Sequence, residues 1–458
     1  MFKKIEIWVL YLIILLSFLF AVGFGVLVRQ ELVGSIKAGW ISKSALTLAE
    51  IPVNLKSLMI DPNVALKVND RFPYLSGFNG TPNSKEAYLL LSKYNGDSSE
   101  GITELVDLRN FQVLHTWNPD IDAFNDLVEP VDEFENLKRD YNNKRARLIH
   151  PKLTRDGELL FTEGPLRKIN FCSDLVYQNT HNFFHHSIET DIDENIWAPS
   201  YLYPQTLPTR IVGRDIRENH NFANNGFADD GITKLSSNGE IIYEKSVSQI
   251  FIDNGLEYLL FSVGDQHFVN DPIHLNDIQP VNFDGEFWQK GDVFLSLRHQ
   301  SMILLYRPST NKIIWKKTGP FFHQHDVNIL DNHRISVFNN NSKDFVDDNI
   351  VDGHNEVIIY DFKTDEYSSY LRESLVQSDV RTITQGKSKI LPNGELFIEE
   401  TIYGRILFFN SDGSLRWTYV NRAYNDTVYL VNWSRILYTP EDIRTVKEAL
   451  NNKGKCNE

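Results

Sequence analysis

The chain has 458 residues, of which 42% are hydrophobic and 23% charged, an ordinary composition for a globular protein with a large core. Its formal net charge of -15 argues against a nucleic-acid partner, because phosphate binding requires a basic face. The two cysteines, Cys172 and Cys456, exclude a disulfide-rich scaffold and a cysteine-rich zinc site but leave a single bridge open.

The first predicted element is a membrane-spanning helix within residues 1–28. Residues 7–28 contain no charge, and about 20 apolar residues suffice to cross the hydrocarbon core. A cleaved signal peptide has a shorter apolar region, so an uncleaved anchor is favoured, although both place the body in the same compartment. Lys3 and Lys4 precede the helix and predict a cytoplasmic amino terminus. We therefore expect a single-pass protein of the cytoplasmic membrane, with its body on the periplasmic side.

A stalk region, 29–85, is expected next, then a repetitive body, 86–440, and a C-terminal helix or tail, 441–458. The body repeats one motif, in which a polar turn joins two runs of β-branched and aromatic residues. Such a motif predicts two strands joined by a tight turn. Six copies are recognised, at 102–117, 166–179, 231–245, 303–317, 357–370 and 405–419.

A second strand-like unit precedes most of these hairpins. Two hairpin-like units per repeat, in about six repeats, predict an all-β fold, a six-bladed β-propeller. A β-sandwich is the competing fold, but it does not predict a repeat of long period. The segment 428–438 is expected to close the ring by joining the blade that starts near residue 87. The second unit opens near residues 149, 185, 273, 323 and 384.

Four of the five openings carry a histidine. These are His150, His186, His274 and His325. The first strand of each blade lines the channel of a propeller, so equivalent openings should meet around one end of the axis. A single histidine there more often belongs to a structural hydrogen-bond network than to an active site. Arg298 ends the strand after the His274 strand, and a guanidinium binds oxyanions. Imidazoles and a guanidinium around one pocket suit a tetrahedral anion.

Four segments in this order, "HHSIE…ENIW", "DPIHLNDI", "GDVFLSLRHQSMILLY…KIIWKK" and "FFHQHDVNIL", resemble the arylsulfotransferase family. The resemblance covers roughly residues 145–420 and implies a six-bladed propeller. It also implies transfer of a sulfuryl group from an aryl sulfate to a phenolic acceptor, without a metal or other cofactor. His325 matches the histidine that becomes sulfated, and His186, His274 and Arg298 match the sulfate-binding residues. The stretch 220–230 departs from the family as an insertion.

Four further residues are expected to contact substrate or to support the site. Asp277 and Asp326 follow two of the histidines and could orient them, as carboxylates often do for imidazoles. Thr384 and Tyr403 are expected to line the aryl pocket from their register in the repeat.

Two alternatives to the enzyme stay open. The first is a non-catalytic, membrane-anchored propeller that serves as a binding or assembly module, since a fold and a partial site do not fix a reaction. The second is a zinc or copper ion held by the histidines. Arg298 argues against a metal, because a guanidinium repels a dication.

Overall fold

The computed structural model describes residues 6–32, 38–59, 66–203, 205–208, 211, 226–261, 269–344, 349–451 and 456. Lys3 and Lys4, on which the expected orientation in the membrane depends, lie outside the described residues, as do residues 220–225 of the expected insertion. The chain divides into two compact units, Met1–Val64 and Ala65–Glu458.

The first unit contains two helices, α1 (Ile7–Leu32) and α2 (Trp40–Met59). The segment Ile7–Glu31 has a mean hydropathy of 2.7, and its most apolar window has no buried residues. Apolar side chains lie on every face of α1, and 26 residues at 1.5 Å each span about 39 Å, more than the hydrocarbon core. The prediction of a helix able to anchor the chain in a membrane is confirmed.

The second unit consists mainly of antiparallel strands with short helices between them. The helices are α3 (Ile121–Asp126), α4 (Leu137–Asp140), α5 (Val247–Asp253), α6 (Tyr258–Phe261), α7 (Arg372–Gln377) and α8 (Pro440–Leu450), and 3-10 turns span Asp132–Phe134, Pro308–Thr310 and Thr401–Tyr403. The strands are β1 (Gly77–Gly80), β2 (Tyr88–Asn95), β3 (Glu100–Asp107), β4 (Gln112–Trp117), β5 (Ile149–Leu153), β6 (Leu159–Thr162), β7 (Gly164–Ile169), β8 (Leu175–Phe184), β9 (Glu189–Thr190), β10 (Ile196–Tyr201), β11 (Asp230–Leu235), β12 (Ile241–Ser246), β13 (Leu275–Pro280), β14 (Val293–Leu297), β15 (Met302–Arg307), β16 (Lys312–Thr318), β17 (His325–Ile329), β18 (Arg334–Asn339), β19 (Ser342–Asp344), β20 (Asn349–Val351), β21 (Glu356–Asp361), β22 (Glu366–Tyr370), β23 (Lys387–Ile390), β24 (Leu396–Glu400), β25 (Arg405–Phe409), β26 (Leu415–Val420) and β27 (Arg435–Leu437).

The six predicted hairpins are all present. They are β3–β4, β7–β8, β11–β12, β15–β16, β21–β22 and β25–β26, each an antiparallel pair. The ring-closing segment is also confirmed, because β27 pairs with β2 from Tyr88↔Leu437 to Leu90↔Arg435. Strands from the two ends of the body thus share one sheet, in the order β27-β2-β3-β4.

The sheets form an all-β, propeller-like arrangement, but six separate blades are not observed among the described residues. Four blades of four or five strands are separate: β27-β2-β3-β4, β13-β14-β15-β16, β17-β18-β21-β22 and β1-β26-β25-β24-β23. Strands β5 to β12 instead form one eight-stranded sheet, in which β9 pairs with β10, and β19 pairs with β20 alone. The expected count of six is corrected because β8 extends beyond its hairpin, so that Phe183 and Phe184 pair with Tyr201 and Ser200 of β10.

The core consists of apolar layers between consecutive sheets. One cluster joins Leu89 of β2 to Phe408 of β25, and so packs the last blade against the first. Another joins Leu305 of β15 to Val337 of β18. Because each face of a sheet is covered by the next sheet, the open ends of the inner strands are fixed in position around the axis.

The carboxyl terminus is attached to the body in two ways. Helix α8 begins with a capping box between Thr439 and Asp442, and its buried Val446 and Ala449 join the core beside the first blade. Beyond it, Cys172 and Cys456 form a disulfide, the one bridge that the sequence left open.

Candidate functional site

Three of the four predicted site residues bring their rings together in the described structure. The ring centroid of His186 lies 5.3 Å from that of His274 and 6.3 Å from that of His325. The buried Trp433 packs against this group, with its ring centroid 5.9 Å from those of both His186 and His325. These residues are far apart in sequence, so the fold assembles the group as the repeat register predicts.

Local backbone geometry places these histidines at the strand openings. His186 and His274 have φ angles of 59° and 54°, a left-handed conformation that is uncommon for residues other than glycine. His325 is the first residue of β17, and a β-bulge follows between His325 and Val327. A bulge re-aims the neighbouring side chain, and such strained positions often occur at functional sites.

A neutral side chain fixes the proton of His325. The Nδ1 of His325 lies 2.7 Å from Oδ1 of Asn340. The Asn340 amide nitrogen donates to the carbonyl oxygens of Thr382 and Gln385, so Oδ1 is the atom that faces the imidazole. His325 Nδ1–H must therefore donate, and Nε2 carries the free lone pair.

His325 Nε2 is buried and has no hydrogen-bond partner in the described structure. Burial holds the pKa of His325 well below its usual range, and the charge of Arg298 lowers it further. The imidazole is therefore neutral at pH 7. A buried lone pair that no protein group satisfies is costly, so it points to a ligand or reacting group there.

Arg298 follows β14 and presents a second buried atom without a partner, its Nε–H. Its Nη1 donates to Nε2 of His299 at 2.6 Å, while Nδ1 of His299 faces the carbonyl oxygen of Asp271 at 2.6 Å. The guanidinium is thus held on one side and leaves a buried donor on the other. A donor of this kind suits an anionic oxygen.

His274 is oriented by Asp271, whose Oδ2 lies 2.6 Å from its Nδ1. Asp271, His274 and His299 could together offer three ligand atoms to a metal ion, since these atoms lie within 4.8 Å of one another. The Arg298 guanidinium is hydrogen-bonded to His299, and its positive charge opposes a divalent cation at that position. These residues therefore fit an anion better than a metal.

His186 is oriented by its neighbour in the chain. Its Nδ1 lies 2.7 Å from Nδ1 of His185. Nε2 of His185 in turn lies 3.5 Å from Oδ1 of Asp230, which opens β11. The three side chains therefore form a line that leads from the histidine group into the protein interior.

The two carboxylates expected to orient the histidines have other partners. Asp277 accepts a hydrogen bond from the amide of Val327, and Asp326 accepts one from the amide of Ser388. Each carboxylate therefore connects its own inner strand to the next one around the axis. Asn340 and Asp271 orient the rings of His325 and His274 instead. A substrate contact for Asp277 or Asp326 stays a prediction.

Thr384 and Tyr403 are not placed among the histidines by their described contacts. The carbonyl oxygen of Thr384 accepts from Thr382 Oγ1, two residues away. The ring of Tyr403 stacks under the guanidinium of Arg71 at 4.6 Å. Their expected role in lining an aryl pocket stays a prediction.

His150 has a structural environment, although it shares the register of the other three. Its Nδ1 accepts a hydrogen bond from the amide of Ile188, and its Nε2 lies 2.6 Å from Nζ of Lys387 and 2.8 Å from Nη2 of Arg435. The ring therefore connects three parts of the channel wall and has no free nitrogen. Register alone could not separate His150 from His186.

Asn340 and Asp271 contact the site histidines without having been predicted from the sequence. Asn340 directly follows β18, the strand paired with β17, so it lies beside the opening where His325 begins. A polar residue at that point of the partner strand was the available signal. Asp271 lies three residues before His274 in "NDPIH", and a turn returns its carboxylate to the ring.

A family model described as Arylsulfotransferase (ASST) matches residues 154–422, which is more than half of the chain. No curated protein matches the chain.

Similar solved structures are distant. A protein of unknown function from Bacteroides caccae is 10% identical and has a TM-score of 0.44, with 73% of this chain and 94% of that chain covered. A streptogramin B lyase is 11% identical with a TM-score of 0.35, covering 78% and 96%. A virginiamycin B lyase from Staphylococcus aureus is 10% identical with a TM-score of 0.32, covering 59% and 69%. TM-scores this low carry no argument about fold or function here.

Proposed function

Because the chain belongs to the arylsulfotransferase family, we propose that it transfers a sulfuryl group from an aryl sulfate donor to a phenolic acceptor, with His325 as the group that is transiently sulfated. The observation that carries this proposal is the buried, unpartnered Nε2 of His325, whose lone pair is fixed by the Nδ1–H bond to Asn340. A neutral imidazole is a competent nucleophile at neutral pH.

In the first half-reaction, Nε2 of His325 attacks the sulfur atom and the aryl oxygen leaves with the electrons of the S–O bond. The sulfated ring is cationic, because Nδ1 keeps its proton toward Asn340. In the second half-reaction, the oxygen of the acceptor attacks sulfur, the N–S bond breaks, and its electron pair returns to Nε2. Two products leave in turn, so the kinetics would be ping-pong.

Negative charge on the sulfuryl oxygens is the main thing to stabilise, as it is in phosphoryl transfer. The buried Nε–H of Arg298 suits one oxygen. His186 and His274 have their Nδ1 atoms occupied by His185 and Asp271, so their Nε2 atoms would serve the substrate. No metal or organic cofactor is needed for these steps.

The family fold supports a finer description of the body. We propose that the eight-stranded sheet represents two of six blades, β5–β8 and β9–β12. Each half contains one of the six hairpins, and an apolar cluster that includes Leu166 and Ala198 packs one half against the other. An experimental map in which these strands form one flat sheet, without a turn between the halves, would contradict this.

We also propose that α1 crosses the cytoplasmic membrane once, with the amino terminus inside and the body on the periplasmic side. The disulfide between Cys172 and Cys456 supports this location, since such bonds persist in oxidising compartments. A body in the cytoplasm would keep both thiols reduced in cells.

The test is a transfer assay on the full-length protein in detergent, with 4-nitrophenyl sulfate as donor and phenol as acceptor. The wild type should release nitrophenol and form phenyl sulfate. His325→Ala should lower turnover at least about a thousandfold, the scale on which loss of a nucleophile acts, without changing the thermal unfolding midpoint. His333→Gln removes a histidine that hydrogen-bonds Asn332 outside the site and should retain full activity.

If the wild type transfers sulfate to none of a panel of phenols, or if His325→Ala is as active as the wild type, the proposal is wrong. The first outcome would favour a non-catalytic, membrane-anchored module.

A further inference from the structure

Two buried atoms deep behind His186 have no hydrogen-bond partner in the described structure and face each other. They are Nε2 of His185 and Oδ1 of Asp230, 3.5 Å apart. Asp230 is fully buried and His185 is 8% exposed. The other nitrogen of His185, Nδ1, contacts Nδ1 of His186 at 2.7 Å. A continuous line of proton-carrying atoms therefore runs from Asp230 through His185 to His186.

We propose that Asp230 and His185 form a proton relay for His186, which returns a proton to the departing aryl oxygen and removes one from the acceptor phenol. The proposal rests on the proposed sulfuryl transfer and adds to it the destination of the phenolic proton. His186 would touch substrate, whereas His185 and Asp230 would act through it.

Hydrogen-bond directions define the resting state of the relay. Oδ2 of Asp230 accepts from the amide of Leu275 at 3.0 Å, so it is the carbonyl oxygen of the carboxyl group and Oδ1 carries the proton. In the proposed resting state, Oδ1–H points to Nε2 of His185 across 3.5 Å, a separation that must shorten for the proton to pass. His185 Nδ1–H donates to Nδ1 of His186, and His186 carries its proton on Nε2. The relay thus presents a donor to the substrate before reaction.

Burial supports these protonation states. Burial raises the pKa of Asp230 well above its usual range, and the negative charge of Asp271 adds to the shift. Burial also lowers the pKa of His185 to about 3, and His274 lowers it further. The pKa of His186 is lowered by burial and then by His185, so neither ring becomes charged readily. A proton therefore crosses both rings by exchange of tautomers.

In the first half-reaction the relay discharges. His325 Nε2 attacks sulfur and the S–O bond breaks. The aryl oxide takes the proton of His186 Nε2, His186 Nδ1 takes the proton of His185 Nδ1, and His185 Nε2 takes the proton of Asp230 Oδ1. Asp230 is left as a carboxylate, and its new charge balances the cationic sulfated ring of His325.

The second half-reaction restores the relay. The acceptor phenol gives its proton to His186 Nε2 while its oxygen attacks sulfur. The same three transfers run in reverse and return the proton to Asp230, as the N–S electron pair returns to His325. Between the two half-reactions the relay is empty, because its proton has left with the first phenol. The proton of the acceptor phenol replaces it, so no exchange with solvent is required.

The groups that surround the relay leave it intact. On β10, the ring of Tyr201 lies 4.2 Å from the ring of His185. From the segment before β13, Asp271 and His274 act on His185 through their charges. Asp229, the neighbour of Asp230, has its carboxylate committed to Thr206 and to the hydroxyl of Ser246.

The variants to compare are Asp230→Asn, His185→Gln and the matched control Asp229→Asn. Asparagine at 230 keeps an acceptor for the amide of Leu275 but cannot cycle a proton. Asp229→Asn removes the adjacent buried carboxyl group, whose charge contributes to the raised pKa of Asp230, but keeps every atom of the relay. The two readouts are the burst of nitrophenol from 4-nitrophenyl sulfate and the steady-state turnover with phenols of increasing pKa. A nitrophenolate is a good leaving group, so the rate of its departure depends little on the proton that it takes from His186. A weakly acidic phenol must instead lose its proton in order to attack.

Asp230→Asn and His185→Gln should leave the burst within about threefold of the wild type. They should lower turnover with unsubstituted phenol at least about 100-fold, the lower end of the range of general acid–base catalysis. The loss should shrink as the acceptor becomes more acidic, and Asp229→Asn should show no such trend. Equal losses with all acceptors, or no loss, would overturn the relay.

Wild-type protein gives a test that does not depend on how the variants fold. Turnover with phenol should slow in D₂O, while the nitrophenol burst should not. A burst and a turnover equally insensitive to D₂O would also overturn the relay. Absence of any transfer by the wild type would instead refute the proposed function, and the relay would fall with it because it would have no reaction to serve.

Discussion

His325 is oriented by an amide, whereas active-site imidazoles are often oriented by carboxylates. The difference bears on the proposed transfer, in which the ring would first attack sulfur and then depart from it. An amide oxygen fixes the tautomer without removing the Nδ1 proton, so a sulfated ring would keep its positive charge and be a good leaving group. The Asn340 amide nitrogen donates to two backbone carbonyl oxygens, so the amide cannot exchange the positions of its oxygen and nitrogen.

Replacing Asn340 with alanine should lower both the nitrophenol burst and turnover about 10- to 100-fold, because the imidazole loses its orientation and its fixed tautomer. Stopped-flow release of nitrophenol measures the burst. Asn341→Ala is the matched control, since Asn341 also donates to two backbone carbonyl oxygens, those of Asp352 and His354. Equal effects of the two variants would show that Asn340 acts only on stability.

At the scale of the elements, side chains of one inner strand hydrogen-bond backbone amides of the next. Asp277 reaches Val327, and Asp326 reaches Ser388. Glu399 accepts from the amides of Trp433 and Ser434 across the closure of the ring. These bonds set the height of each strand opening along the axis, and so the positions of the histidines.

Asp277 should make the fold less stable as pH rises toward about 8. Burial raises the pKa of Asp277 to about 8, and the charges of Asp326 and Glu189 contribute. The folded state therefore binds this proton more tightly than the unfolded state, whose carboxyl has its ordinary value of 3.8. The stabilisation is fully present below that value and is lost as pH rises through about 8, by up to about 1.4 kcal/mol per pH unit.

We expect the free energy of unfolding to fall between about pH 6 and pH 8, the upper part of the range between the two pKa values of Asp277. The fall should be smaller in Asp277→Asn. Asparagine is neutral at every pH and still accepts from Val327. Denaturant titrations at each pH measure this. Asp193→Asn removes a carboxylate that is 66% exposed and should follow the wild type. If the free energy of unfolding of Asp277→Asn fell as steeply with pH as that of the wild type, Asp277 would not be the titrating group.

At the scale of the whole molecule, the ring of sheets is closed by strands from both ends of the body. Strand β27 completes the first blade, and β1 adds a fifth strand to the last, from Gly77↔Val420 to Gly80↔Trp417. The Cys172–Cys456 bridge then joins residues that are 284 positions apart in the sequence. In an unfolded chain such a long closure costs much conformational entropy.

Loss of the disulfide should therefore destabilise the body by about 2–5 kcal/mol. The measurement is the denaturant midpoint of the wild type with and without a reductant, beside Cys456→Ser. Reduction should lower the wild-type midpoint to that of the variant and should not change the variant. If the reductant left the wild-type denaturant midpoint unchanged, the bridge would contribute nothing to stability.

The sequence by itself determined the features that depend on local chemistry. A polar turn between two apolar runs specifies a hairpin wherever it lies, so the six hairpins were predictable. The ring-closing strand and the anchor helix were predictable as well, each from its own run of apolar residues. The meeting of His186, His274 and His325 was predictable as well, because a repeat places equivalent residues around one axis.

Only the tertiary structure decided which atoms those residues contact. The continuation of β8 onto β10 depends on two residues at a strand end, and no local signal distinguishes them. Asn340, Asp271 and Asp230 reach the histidines from other strands and turns, so their partners follow from three-dimensional packing. Asp277 and Asp326, beside histidines in the sequence, face the neighbouring blade instead. Successive side chains along a strand point in opposite directions, so sequence neighbours within a strand do not contact each other. The contacts of a propeller site are made between residues of different strands.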